Sequence, residues 1–174
     1  MRLMPLKGGE GTGKNCISGK ERAMIRSYDC KIVLEDGQEY PGYRFGARTD
    51  RVCEIVFTPS MVGYQEIVSD PSYTGQMVVM TYPIIGNYGI TDDIPSNFRY
   101  TKTLSEILED HGIPAIEGID TRRLTRSIRD HGSRKALLTG IGVAKEEALE
   151  RLASTELPRD QVSLVSCRKR WYAR

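Results

Sequence analysis

The sequence predicts a mixed α/β domain, and three observations carry that expectation. Short β-rich runs come first, and helices alternating with strands follow. Three of the helical segments have cap residues at their starts, and two of these stop at a glycine. The chain has 174 residues and is 39% hydrophobic, enough for one core but not for several domains.

Residues 1–28 contribute little to that core and read as a disordered leader or an appended segment. The ordered domain is expected over residues 29–174. From Cys30, KIVLEDGQEYPGYRFGA reads as two strands joined at Asp36-Gly37, because glycine accepts the positive φ of a tight hairpin turn. EIVFTPS is a further short strand. SMVGYQEIVSDPSY predicts a brief helix from Ser60, its cap, to about Val68, with Pro71 enforcing a break. Met77 to Thr81 is nearly continuously apolar, as in a strand buried on both faces, and Pro83 and Gly86 end it.

TKTLSEILEDHG predicts an amphipathic helix capped by Thr103 or Thr101. Leu104, Ile107 and Leu108 share one face, and Gly112 stops it. IPAIEGI is a short strand. IDTRRLTRSIRDHG predicts a second helix capped by Asp120 or Thr121, with Leu124 and Ile128 one turn apart and Gly132 at its end. KALLTGI is a strand and KEEALERLASTEL a third amphipathic helix. The tail SLVSCRKRWYAR ends without a turn signal.

A net charge of +2 is too mild to argue for nucleic acid or a membrane surface as partner. No apolar run approaches the ~20 residues of a membrane span, and the N-terminus lacks the apolar centre of a secretion signal. Cys16, Cys30, Cys53 and Cys167 have neither metal-site nor C-x-x-C spacing. Together these features predict a cytoplasmic protein with reduced thiols.

GGEGTGKN, residues 8–15, imitates a phosphate-binding loop, with Gly8, Gly13 and Lys14 in register. That chemistry needs a hydroxyl on Mg²⁺ after the lysine, where Asn15 stands. It also needs a buried strand before the loop and a helix after it. Arg2 and Pro5 spoil the first, and Gly19 spoils the second. The stretch reads as a Gly-rich decoy.

His111 and His131 each precede a glycine at a predicted helix end, where the helix dipole favours a cation. Cys53 lies in a strand-like run and reads as a packed thiol rather than a nucleophile. Asp92 and Asp93 read as solvated turn carboxylates. Arg122, Arg123, Arg126 and Arg129 make one helix strongly basic. A solvated face is the plain reading, an acidic partner's docking face the sharper one, and a phosphate or nucleic-acid contact the remainder. No nucleophile elbow is present, which favours a structural or interaction role over a self-contained enzyme.

GYQEI-x-x-DPSY-x-GQ, TYP-x-IGNYG, Pro-Ser-Asn-Phe-Arg and GIDTR-x-LTR occur in that order between about residues 30 and 174. Together they resemble the N-terminal domain of the small subunit of glutamine-dependent carbamoyl-phosphate synthase. The resemblance implies a three-layer β/β/α swivelling domain that packs on the large synthetase subunit. It implies that glutamine hydrolysis belongs to a C-terminal amidotransferase domain with a Cys-His-Glu triad, which no cysteine here matches. Ammonia then passes to the large subunit for carbamoyl phosphate synthesis in the pyrimidine and arginine pathways. ATP and Mg are expected on that large subunit, so this chain is expected to hold no catalytic residue, cofactor or metal. One glutamine contact is implied, the serine of DPSY, here Ser72. Read from residues alone, Ser72 caps or closes a Pro-fixed turn, and both roles are compatible because a hydroxyl donates and accepts. The alternative is a stand-alone binding module with the same fold.

The chain departs from the family pattern twice. A strand and its loops, ending in a Val-Val-Arg-Glu-like run, are missing between Asp93 and Ile94, through deletion or omission from the sequence. Residues 1–28 have no counterpart.

Overall fold

The computed structural model describes residues 26–60, 63–82, 85, 102–158 and 160–166. The phosphate-loop lookalike, the Pro83 and Gly86 stop, Asp92, Asp93, the Asp93–Ile94 junction, Cys16 and Cys167 lie outside these residues.

The first hairpin forms as expected. Strand β1 (Cys30–Leu34) is buried at every residue and β2 (Glu39–Gly46) returns antiparallel to it. Gly37 takes φ +80°, and its N–H donates to the Leu34 carbonyl at 2.8 Å. Asp36 accepts the Gln38 N–H at 3.0 Å, which closes the turn from the side-chain side.

Strand β3 (Arg51–Thr58) lies between β4 (Gln76–Met80), to which it is parallel, and β6 (Arg134–Gly140), to which it is antiparallel. With β5 (Pro114–Glu117) the order is β4-β3-β6-β1-β2-β5, a six-stranded mixed sheet. The parallel β3–β4 pair requires a crossover, which is made by helix α1 (Tyr64–Ser69) and a 3₁₀ turn (Pro71–Tyr73).

β2 changes partner along its length. Glu39 to Gly42 pair with β1, and Tyr43 to Gly46 pair with β5. A β-carbon at Gly42 would stand 2.5 Å from the Glu117 carbonyl oxygen and 2.7 Å from Ile119 Cγ2. Glycine is therefore what lets the second half of the sheet fold in against β2.

Helices cover both faces of the sheet. Ile32, Leu34, Ala136 and Leu138 point one way and meet Leu124 and Ile128 of α3 (Thr121–His131). Val33 and Leu137 point the other way and meet Ala148 and Leu152 of α4 (Lys145–Ser154). This alternation explains why β1 and β6 are apolar at successive positions: each is a central strand buried on both sides. α2 (Leu104–Asp110) closes a third cluster, where Leu104, Leu108 and Tyr64 pack with Phe45, Met80 and Ala115.

Helix starts follow the expected chemistry in two cases. Thr103 accepts from the Glu106 N–H while Glu106 accepts from the Thr103 N–H, a complete capping box. Asp120 accepts the Arg123 N–H at 2.9 Å, and Gly132 ends α3 at φ 84°. The helix expected from Ser60 is corrected: α1 begins at Tyr64, because Gly63 before it is left-handed at φ 81° and interrupts any longer helix. β4 is corrected too. Only Val79 of its five residues is buried, because among the described residues β4 is the end strand in this order rather than a central one. A short helix, α5 (Gln161–Val165), stands in the tail where none was expected, capped by Asp160.

Two residues of the expected leader, Arg26 and Tyr28, already touch the domain. Tyr28 stacks on Tyr43 with ring centroids 5.0 Å apart, and the Tyr43 hydroxyl donates to the Arg26 carbonyl.

Candidate functional site

Ser72 sits in the 3₁₀ turn that joins α1 to the edge strand β4. Pro71 fixes φ at the first position, and Asp70 caps the turn by accepting the Ser72 N–H at 2.8 Å. The Tyr73 N–H donates to the Asp70 carbonyl at 3.1 Å. The Thr74 N–H and hydroxyl both donate to the Pro71 carbonyl, at 3.1 and 2.7 Å. Main-chain groups, Asp70 and Thr74 thus close the turn, and Ser72 is solvent-exposed. The Ser72 N–H, and secondarily its hydroxyl, hold the Asp70 carboxyl below the ordinary aspartate range.

The far side of the turn is set by glycine. Gly75 takes φ +75°, and a β-carbon there would lie 2.5 Å from Gln161 Nε2. Gln161, the first residue of α5, therefore lies flat against the turn and donates to the Pro158 carbonyl at 3.2 Å. Sequence spacing carries no trace of this contact, since 86 positions separate Gly75 from Gln161. The result is a rigid, exposed hydroxyl at the sheet edge. It can contact a ligand that a second protein body holds against it.

The other candidates take structural places. His111 and His131 stand at the ends of α2 and α3, and each Nδ1 bonds the carbonyl four residues back, Ile107 at 2.9 Å and Ser127 at 3.0 Å. Cys53 is half-buried in β3, and burial raises its thiol pKa. Cys30 is fully buried, and desolvation lifts its thiol to about 11. Neither is poised as a thiolate nucleophile. Among the described residues no group of three or more His, Cys, Asp or Glu could hold a metal ion. No described helix is long and apolar enough to cross a membrane.

Two polar networks went unseen in the sequence. Arg134, nearly buried, pairs with Asp36 and donates to the Ser127 carbonyl and hydroxyl at 2.8 and 2.6 Å. Asp50 accepts from Arg44 at 3.0 Å, Arg151 at 3.1 Å and Thr139 at 2.6 Å. These networks join residues that are up to 101 positions apart. They tie sheet to helices and form no reactive constellation.

The family model for the "Carbamoyl-phosphate synthase small chain, CPSase domain" matches residues 32–94 and 91–138. Its two pieces meet at residues 91–94, where the sequence reading located the missing segment. The chain is 48% identical to the carbamoyl phosphate synthase small chain of Fusobacterium nucleatum, over 80% of this chain and 44% of the relative. It is 48% identical to that of Staphylococcus epidermidis, over 78% of this chain and 42% of the relative. It is 45% identical to the carbamoyl phosphate synthase pyrimidine-specific small chain of Bacillus subtilis, over 79% and 43%. The chain thus spans less than half the length of these curated relatives. With more than half of its residues under the family model and this identity to the relatives, the chain belongs to the carbamoyl-phosphate synthase small-chain family.

Proposed function

We propose that the protein works as the N-terminal part of the small subunit of glutamine-hydrolysing carbamoyl-phosphate synthase, a carbon–nitrogen ligase. In this reading it docks to the large synthetase subunit and packs on the small subunit's own amidotransferase domain. It frames the glutamine site there with Ser72. The amidotransferase nucleophile releases ammonia, and the large subunit consumes it with ATP and Mg to make carbamoyl phosphate. The product serves pyrimidine and arginine synthesis in the cytoplasm. The partner change within β2 supports the finer fold reading, in which the two halves of the curled sheet are the β layers of a three-layer β/β/α swivelling domain.

The Ser72 turn is the observation that carries this reading. Its hydroxyl is exposed and held on a Pro-fixed turn, where it also bonds the capping Asp70 carboxyl. A hydroxyl that donates to Asp70 keeps its lone pairs as acceptors, so the turn contact and a ligand contact are compatible.

The test is Ser72→Ala in the assembled synthase, assayed with glutamine and then with ammonia supplied directly. We expect a higher KM for glutamine and unchanged ammonia-dependent synthesis. Unchanged glutamine kinetics would remove Ser72 from the site. The stand-alone binding module predicts that this protein supports no glutamine-dependent synthesis in any assembly.

A further inference from the structure

Positive charge is distributed unevenly in this fold. Between residues 26 and 166 there are 16 Lys and Arg against 21 Asp and Glu. Helix α3 alone carries four Arg against one Asp, so the rest of that stretch holds 12 basic against 20 acidic residues. Over the whole chain the residues outside α3 are nearly balanced, 21 basic against 22 acidic, so α3 is a local concentration of positive charge.

Folding does not account for this row. The inner face of α3 is already satisfied: Leu124 and Ile128 are in the core, and Ser127 is held by Arg134. Arg122, Arg123, Arg126 and Arg129 are all exposed. Arg123 lies over the Tyr40 ring at 5.2 Å, and Arg129 pairs with Asp130 at 2.9 Å. Arg122 and Arg126 make no hydrogen bond or ion pair among the described residues, and Arg126 acts on Asp130 only at a distance. Arg122 and Arg126 are one turn apart, and like charges at that spacing destabilise a helix. The helix tolerates the repulsion because its inner face is clamped, and that clamp also presents the guanidinium groups from a rigid element.

We propose that the exposed face of α3, centred on Arg122 and Arg126, is a docking surface for an acidic protein surface, the carboxylate-bearing face of the large synthetase subunit. The anions that an unmodified protein surface offers are carboxylates. All four cations are arginine, whose planar fork meets a carboxylate through two parallel hydrogen bonds and is weakly hydrated. Positive charge concentrated on one rigid helix lets α3 set the orientation of docking. This inference rests on the docking reading above.

The experiment compares the protein with its R122E/R126E variant in binding to the purified large subunit, across a salt series. Circular dichroism and a melting curve establish that the variant is folded. The two glutamates repel each other as the arginines did, and the one at position 126 also meets Asp130 one turn on, so a melting point slightly lower than that of the unaltered protein is expected. We expect the variant to bind at least about tenfold more weakly and to lose most of the salt dependence. R122K/R126K should retain most of the salt dependence and recover part of the affinity. Equal affinity and equal salt dependence for a folded R122E/R126E variant would overturn the assignment. So would a loss of heparin binding in that variant with its large-subunit affinity intact, which would mark α3 as a polyanion site. If the unaltered protein fails to bind the large subunit, the docking reading itself falls, a result distinct from failure of α3 alone.

Discussion

Gly42→Ala tests whether the partner change within β2 organises the sheet. An alanine β-carbon there would lie 2.5 Å from the Glu117 carbonyl oxygen, 2.7 Å from Ile119 Cγ2 and 2.8 Å from Ile116 Cγ1. The two isoleucine side chains have rotational freedom. The carbonyl oxygen belongs to β5 and moves only if β5 moves away from β2. Overpacking costs about 1–3 kcal/mol, and a backbone obstacle argues for the upper half, about 2–3 kcal/mol. For a chain of this size the loss lowers the melting temperature by roughly 4–12 °C. Urea and thermal unfolding followed by circular dichroism would measure it. Gly140→Ala is the internal control. It also stands in a strand, but its β-carbon would meet nothing within 4 Å. That change should be neutral or stabilise by up to about 1 kcal/mol through the unfolded chain. If Gly42→Ala costs no more than Gly140→Ala, the close approach of β5 to β2 is not as described.

Other perturbations should read out single features. Leu124→Ala empties a fully buried position between α3 and the sheet and should cost about 2–5 kcal/mol in urea unfolding. Thr103→Ala removes the capping box of α2 and should cost about 0.5–2 kcal/mol in the same assay. Asp70 should titrate by NMR below its ordinary value near 3.8, because the Ser72 N–H and hydroxyl favour the charged form. The sign follows: its cap contributes stability above that ordinary value and loses it as pH falls through the lowered one. In Ser72→Ala the backbone bond remains, so the lowering should persist in smaller measure. Cys30, with its thiol pushed up to about 11 and fully buried, should resist alkylation at pH 8 until the chain unfolds. Rapid labelling of Cys30 in the native protein would show that β1 opens.

Local signals were legible wherever the interaction is local. Asp120, Leu124, Ile128 and Gly132 together specify α3 within thirteen residues, and Thr103 with Glu106 does the same for α2. The Asp36-Gly37 turn predicted the first hairpin for the same reason. Sheet position was not legible. KIVL in β1 and QMVVM in β4 are both apolar runs, yet one is central and the other terminal. Long-range pairing decides this, as in Cys30 opposite Gly140. The start of α1 was misplaced because a left-handed glycine such as Gly63 leaves no mark on apolar periodicity. For the candidate site, Asp70 and Pro71 announce the turn, whereas Gln161 against Gly75 is visible only in three dimensions. Nothing in spacing or composition says that Ser72 touches glutamine, and that role comes from the resemblance.

The most direct test of the central claim is a calorimetric titration of the protein into the purified large subunit of carbamoyl-phosphate synthase. The account predicts saturable one-to-one binding. Absence of binding by a chain that circular dichroism shows to be folded would contradict it.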